Sequence, residues 1–311
     1  MQMLELFLAD ALAMGLAILF AMKLMSLISG VNVGHELTVK DNRAFGVIVA
    51  AQFLGLAFIL NGVHSGEYEA SFMKELFSML SYLFSGIILM WLSRYLLDKL
   101  VLTKVDLEGL IRDGNTAAAI VMGGNIVTAS IIIMSLLTAV ETDSFAKDVM
   151  VMAIIWLATY LFIAWIGMLY RNALYRNSLQ SGSHRTLQST IMENKLAPAI
   201  AFAGMMVALA LVTSNLSEVV MLLNTFIFDK QGLTADIALW IILACPAGLI
   251  LLTVSVNIIS PLLFRKNEAA KEAGVTLVYQ ELMVDNNIGF ALTQAALYIG
   301  TAFVMRVLIG L

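Results

Sequence analysis

Long apolar runs alternate with short charged turns along the whole chain. A helical span takes about 20 mostly apolar residues, and eight stretches qualify, at about 4–29, 43–63, 73–97, 116–139, 149–170, 195–216, 236–263 and 287–308. The first holds Asp10 and Lys23, which a span tolerates near its ends, the lysine by snorkelling. The seventh holds Pro246 and Pro261, so a kink near one and a helix end near the other are expected. The even-numbered runs share a texture of their own. Asp41-Asn42 precedes RAFGVIVAAQFLG, Asp113-Gly114-Asn115 precedes TAAAIVMGGN, Glu193-Asn194 precedes KLAPAIAFAG, and Asp285-Asn286-Asn287 precedes IGFALTQAALYIG. An acid, an asparagine and then an Ala/Gly-rich apolar helix recur four times.

Aligned on Asn42, Asn115, Asn194 and Asn287, the first two spans pair with the fifth and sixth. The third and fourth pair with the seventh and eighth. The pattern reads as a four-helix unit of roughly 150 residues duplicated in tandem, with units at 1–145 and 146–311. Four is an even number, so the units enter from the same side as parallel repeats related by a pseudo-two-fold axis along the membrane normal. Basic residues set the orientation. Lys40, Arg43, Arg94, Lys99, Arg112, Arg171 and Arg185 lie in the turns after odd spans. The alternate turns carry Glu67, Glu69, Glu141, Asp143, Glu218 and Asp229. Both termini are expected outside and the four acid-Asn turns in the cytoplasm. Residues 216–228 read as an interfacial helix or an extension of the sixth span.

Composition narrows the solvent. The 311 residues are 60% apolar and only 13% charged, against about 25% charged in soluble domains, so a bilayer is expected around them. The opening MQMLE has no basic leader, so the first run is expected to be a retained span. Cys245 is the single cysteine, which excludes an internal disulfide and a cysteine-ligated zinc site. A net charge of -4 with dispersed basic residues leaves no nucleic-acid footprint.

DGNTAAAIVMGGN and VDNNIGFALTQAA resemble the glycine-asparagine-alanine motifs of the YjfL-type bacterial inner-membrane family, domain of unknown function 350. Members typically hold one four-helix unit, and this chain looks like two in tandem. It departs from the motif at Leu196 and Pro198, set against Ala117 and Ala119, and at Asn286, set against Gly114. The resemblance implies a bacterial inner-membrane location. Some members lie near membrane-stress genes of the phage-shock type or near polyamine-related genes, which is context and not activity.

The repeated turn has a structural and a ligand-binding reading. Asn or Asp before a helix caps free N–H groups and suits the helix dipole. Small residues then let helices approach, as at Gly46, Gly55, Ala119, Gly123, Gly124, Ala197, Ala201, Ala296 and Gly300. This structural reading is preferred, and it places the four small-residue helices innermost. The sharper alternative is a cation site, should Asp41, Asp113, Glu193 and Asp285 converge. Deeper, Gln52 and Asn125 each lie ten residues after their asparagine. At 1.5 Å per residue that is roughly 15 Å in, near the bilayer centre. Gly204 and Leu297 take that offset in the second unit. Gln294 and Asn257 add further amides. Interhelical hydrogen bonding is the preferred reading for all four, and a polar lining for a solute or ion path is the alternative.

His35, His64 and His184 read as solvated loop residues, and Cys245 as packing. No Gly-rich phosphate loop, GxSxG, HExxH or CxxC occurs. No catalytic residue, metal or cofactor is expected. The sequence therefore predicts an all-α membrane protein of eight transmembrane helices, in two tandem four-helix repeats, with both ends outside. The expected role is a non-enzymatic subunit of a channel- or transporter-like assembly. The alternative is a membrane-stress or remodelling scaffold recruiting a partner. Expected partners are membrane lipids, a homo- or hetero-oligomer, and a membrane-stress protein.

Overall fold

The structure, a computed structural model, describes residues 2–63, 72–138, 145–180, 182, 184–214 and 274–309. The described residues form helices and turns. α1 (Gln2–Ser29) leads through a short α2 (Val33–Thr38) into α3 (Arg43–Val63). α4 (Phe72–Leu96) runs on as a π-helical turn (Leu97–Val101), then α5 (Leu107–Arg112) and α6 (Thr116–Leu137). α7 (Phe145–Gln180) leads to α8 (Leu187–Met192) and α9 (Leu196–Thr213). Finally α10 (Leu277–Tyr279) passes through a second π-helical turn (Gln280–Val284) into α11 (Ile288–Ile309).

Six helices among the described residues are long and apolar enough to cross a membrane: Arg43–Val63, Phe72–Val101, Thr116–Leu137, Phe145–Gln180, Leu196–Thr213 and Ile288–Arg306. The apolar part of α1 is shorter, Ala11–Leu27. α7 extends beyond the expected 149–170 to 36 residues, because no glycine or proline breaks the chain between Gly167 and Gly182. The expected span at 236–263 lies outside the described residues. So do Asn257, Cys245, Pro246, Pro261, His64 and the segment 216–228.

The small-residue helices α3, α6, α9 and α11, here called rods, lie side by side in that order. Their three joints are the most extensive interfaces among the described elements. Close approach explains the composition. A Cβ on Gly124 would stand 2.5 Å from the Ala203 Cβ, and one on Gly204 would stand 2.4 Å from the Ala295 Cβ. Gly123 faces Ala51, and Gly62 meets the Met134 backbone. In lipid such packing replaces the missing hydrophobic drive between helices. The larger helices form a second layer: α1 lies on α3 and α4, α4 on α3 and α6, and α7 on α6 and α9.

Two expectations need correction. First, the rods are not all innermost. α6 and α9 are buried over most of their length, but α3 only by half and α11 by a third. Each inner rod meets its two neighbours on two different faces, and α3 does not pack on α11, so the row is open and its end rods are edges. Second, Asn194 is not the counterpart of Asn115. The left-handed backbone positions are Asp41 (φ 49), Gly114 (φ 84), Asn194 (φ 57) and Asn286 (φ 49). The residue that follows each is Asn42, Asn115, Lys195 and Asn287. Lys195 is therefore the first cap residue of α9, and the alignment on Asn194 is one position out. Ala197 then matches Ala117, Pro198 matches Ala118, Gly204 matches Gly124, and Met205 rather than Gly204 shares the depth of Gln52 and Asn125.

Candidate functional site

At the start of the row, the turns are joined by amide hydrogen bonds. Asn42 accepts from the N–H groups of Ala44 (3.1 Å) and Phe45 (3.4 Å). Its Nδ2 donates across the joint to the carbonyls of Ile111 and Arg112, both at 3.2 Å. Asn115 repeats this, accepting from Ala118 (2.8 Å) and donating to Ile191 (2.8 Å) and Met192 (3.4 Å). Asn194 and Asn286 work in the opposite direction. Their Oδ1 atoms accept from the N–H groups of Ala117 (2.9 Å) and Ala197 (3.0 Å), each on the preceding rod. Asn287 caps Phe290 at 3.0 Å and donates to Glu281 at 2.8 Å.

Lys195 has no acceptor for a cap, and the N–H it would hold is missing too. Pro198 stands three residues on, where Phe45, Ala118 and Phe290 present theirs, and proline has no N–H. The amide donor absent from Lys195 is replaced by Arg185 Nη1, which reaches the Met283 and Val284 carbonyls at 3.1 and 3.4 Å. Lys195 itself pairs with Glu193 at 3.2 Å.

The acids of these turns, Asp41, Asp113, Glu193 and Asp285, are exposed on successive turns. No group of three or more His, Cys, Asp or Glu side chains placed to hold a metal occurs among the described residues. An open cleft of about 490 Å³ lies at the first joint, lined by Glu36, Lys40, Asp41, Arg43, Arg112 and Asp113 among others. Gly114, in its lining, takes at this joint the left-handed place that Asn194 and Asn286 take at the next two. Glu36 is buried beneath it and bonds Lys40 (2.7 Å) and the Asn42 amide (3.3 Å). The Lys40 hydrogen bond, aided by the Asn42 amide and opposed by burial, holds the Glu36 carboxyl below its ordinary value.

The intramembrane amides differ in their surroundings. Asn125 donates to Ser93 Oγ at 3.0 Å and accepts from Tyr160, whose hydroxyl also lies 2.8 Å from the Ser93 carbonyl. All three are buried, and they tie α4, α6 and α7 together. Gln52 is buried with its Oε1 lacking a hydrogen-bond partner, and Gln294 is buried with both amide atoms lacking one. Among the small residues, Gly55, Gly123 and Gly124 touch a neighbouring rod. Ala119, Ala197 and Ala201 are fully buried. A Cβ on Gly46 would come no nearer than 4.0 Å to Leu37, and Gly300 faces open space.

Reading by sequence missed one cluster. Arg94 is buried on α4, with its guanidinium 4.1 Å over Trp91 and 3.9 Å from Glu108. Asp98, one turn on, lies within electrostatic reach of Arg94, Glu108 and Tyr160. Arg94 Nη1, Asp98 Oδ1 and Glu108 Oε1 are buried atoms with no hydrogen-bond partner. The π-helical turn begins at Leu97, and such turns recur at functional sites. The available signal was Arg94 and Asp98 four apart at the end of an apolar run, hence on one helix face.

The comparisons with known proteins agree with this architecture. The profile of the family described as Domain of Unknown Function (DUF350) matches three times, over residues 2–137, 70–217 and 183–309. The second match crosses the boundary between 1–145 and 146–311, so the matches overlap along the row. A stretch of 127 residues, 40% of the chain, is 25% identical to a UPF0719 transmembrane protein of Aquifex aeolicus (strain VF5). That stretch covers 47% of the relative, so the chain spans about half the length of the curated relative it matches. No solved structure matches. With rods, caps and spans repeated as the family profile repeats, this is a membrane protein that belongs to the domain of unknown function 350 family.

Proposed function

We propose that the protein is a non-enzymatic, multi-pass subunit of a channel- or transporter-like assembly in a bacterial inner membrane. The observation that carries this reading is the buried Arg94 beside Glu108, with Asp98 one turn on, continued through the neighbouring Ser93 to Asn125 and Tyr160 by hydrogen bonds. Ionisable groups within a span are costly and usually mark a pathway. Three of their atoms keep unused hydrogen-bonding capacity at the cluster, the carboxylate oxygens of Asp98 and Glu108 as acceptors and Arg94 Nη1 as a donor, so a water finds partners of both kinds and a proton finds the two carboxylates. The proposal includes eight spans, the seventh at 236–263, with both ends outside and the rod starts in the cytoplasm. It includes two parallel four-helix units and surrounding lipid. It includes no cofactor and no nucleic acid.

Flux tests it. The full chain is reconstituted in liposomes, and proton and potassium movement is followed with entrapped dyes. Wild-type flux above that of empty liposomes is expected, and Asp98→Asn is expected to reduce it about tenfold, a change of 1.4 kcal/mol in the barrier. Wild-type liposomes as tight as empty ones would remove the transport reading. One observation favours the scaffold alternative. The exposed acids Asp41, Asp113, Glu193 and Asp285 lie on successive turns at one end of the row, a repeated surface for a membrane-stress partner. Tight liposomes together with saturable binding of such a partner would favour it.

A further inference from the structure

The three joints repeat one another residue by residue. Counted from Asn42, Asn115, Lys195 and Asn287, the ninth residue of one rod meets the eighth of the next. The pairs are Ala51 with Gly123, Gly124 with Ala203, and Gly204 with Ala295. Farther along, the twentieth residue meets the nineteenth: Gly62 lies on Met134, and Ser135 Oγ donates to the Ser214 carbonyl. At the turns, the left-handed residue of the later rod accepts from the second N–H of the earlier one, Asn194 from Ala117 and Asn286 from Ala197. Every rod therefore has a forward face and a rear face. The faces differ, so joining is head-to-tail and leaves one of each unused.

Both unused faces are visible. On α11 the forward residues Gly289, Ala296 and Gly300 are exposed. A Cβ on Gly300 would meet nothing within 4 Å, while the equivalent of Ala296 is locked against an alanine at Gly124 and Gly204. On α3 the rear residue Ala50 is exposed, although its equivalents Ala203 and Ala295 are buried. Asp41 occupies the left-handed place of Asn194 and Asn286 with an exposed carboxylate, an acceptor with no donor among the described residues. Gly289 carries the matching second N–H on α11.

We propose that the row continues from one molecule to the next. The forward face of α11 seats on the rear face of α3 of a second copy, with Ala296 against Ala50, and the Asp41 carboxylate accepts from the Gly289 N–H. The partner is a second copy because its α3 presents the same offsets and the same turn acceptor as the rods already seated in this chain. A head-to-tail contact of this kind closes into a ring or runs on as a strand, depending on the rotation at each joint. The inference rests on the assembly part of the function proposed above and is independent of flux.

Directed disulfides test it. Cys245→Ser removes the single native thiol. Ala50→Cys is placed in a copy with one tag and Ala296→Cys in a copy with another. The two full-length chains are co-expressed and oxidised in native membranes. A two-tag dimer about tenfold more abundant than the dimers of either variant alone is expected. Absence of the mixed dimer, or dominance of like-with-like dimers, overturns the proposal. So does an intramolecular disulfide between Ala296→Cys and a retained Cys245, which would seat this chain's own segment on the face. Gly300→Leu fills open space within one chain, so the isolated monomer should keep its melting temperature while the mixed dimer falls about tenfold. An unchanged dimer yield overturns the proposal. Flux without cross-linking counts against this inference alone, and cross-linking without flux counts against the transport reading alone.

Discussion

Asn115 does two jobs with one amide. Its oxygen caps α6 at Ala118, and its nitrogen takes up the Ile191 and Met192 carbonyls of the next turn. Loss of the cap costs about 1 kcal/mol, and a buried carbonyl left bare adds about 1 kcal/mol or more. Asn115→Ala should therefore lower unfolding free energy by about 2 kcal/mol in a detergent titration. Lys195→Ala, at the equivalent place without a cap, should cost under about 0.5 kcal/mol. Equal losses would contradict the register derived from Pro198 and the left-handed residues. Glu36 supplies the pH-dependent element. Its folded carboxyl is held below the ordinary carboxylate value, chiefly by the Lys40 hydrogen bond. The stabilisation is thus fully present above the unfolded value and is lost as pH falls through the folded one. The melting temperatures of wild type and Glu36→Gln should differ most near neutrality and converge in acid. A gap that widens in acid would reverse the sign.

At the scale of elements, a rod is a helix thinned until its backbone meets another. Its stability depends on what is absent, and any larger side chain at the joint forces the rods apart. At Gly204 the obstruction includes the Ala295 Cα, 2.7 Å from an added Cβ, which no side-chain rotation relieves. Gly204→Leu should cost about 3 kcal/mol, at the upper end for overpacking, measured by denaturant unfolding of the purified chain. A loss below about 1 kcal/mol would mean the joint is looser than described. The π-helical turn at Leu97–Val101 works differently. It shifts the residues after Asp98 relative to a continuous α-helix, and the Val101 carbonyl is taken by Arg171 of α7.

At the scale of the molecule, a linear row transmits little beyond the nearest joint, as in repeat proteins whose units touch only their neighbours. Gly204→Leu should raise hydrogen exchange in α11 and α9 and leave α3 protected as before. Uniform loss of protection along all four rods would show one cooperative bundle instead. The linear row also accounts for the unequal burial of like sequences. α6 and α9 have a rod on each side, while α3 and α11 have one.

Much of this was legible beforehand. The apolar runs, the small-residue rods and the caps at Asn42, Asn115 and Asn287 depend on local spacing, which the sequence carries directly. The third rod misled because two changes cancel there: Lys195 removes the acceptor and Pro198 removes the donor. Aligning Ala117 with Ala197 and Gly124 with Gly204 would have recovered the register. Arg94, Asp98, Glu108, Tyr160 and Asn125 come from four helices and share no local pattern, so their meeting was not legible.

By itself the sequence determined which of the described segments become apolar helices and where most of the rods begin, because length, periodicity and capping act within a few residues. Only the tertiary structure decided that the rods stand in a head-to-tail row, which of them are edges, and that charged groups of α4 and α5 approach Tyr160. Burial and joining depend on neighbours distant in the chain, and nothing local encodes which face of a rod meets which.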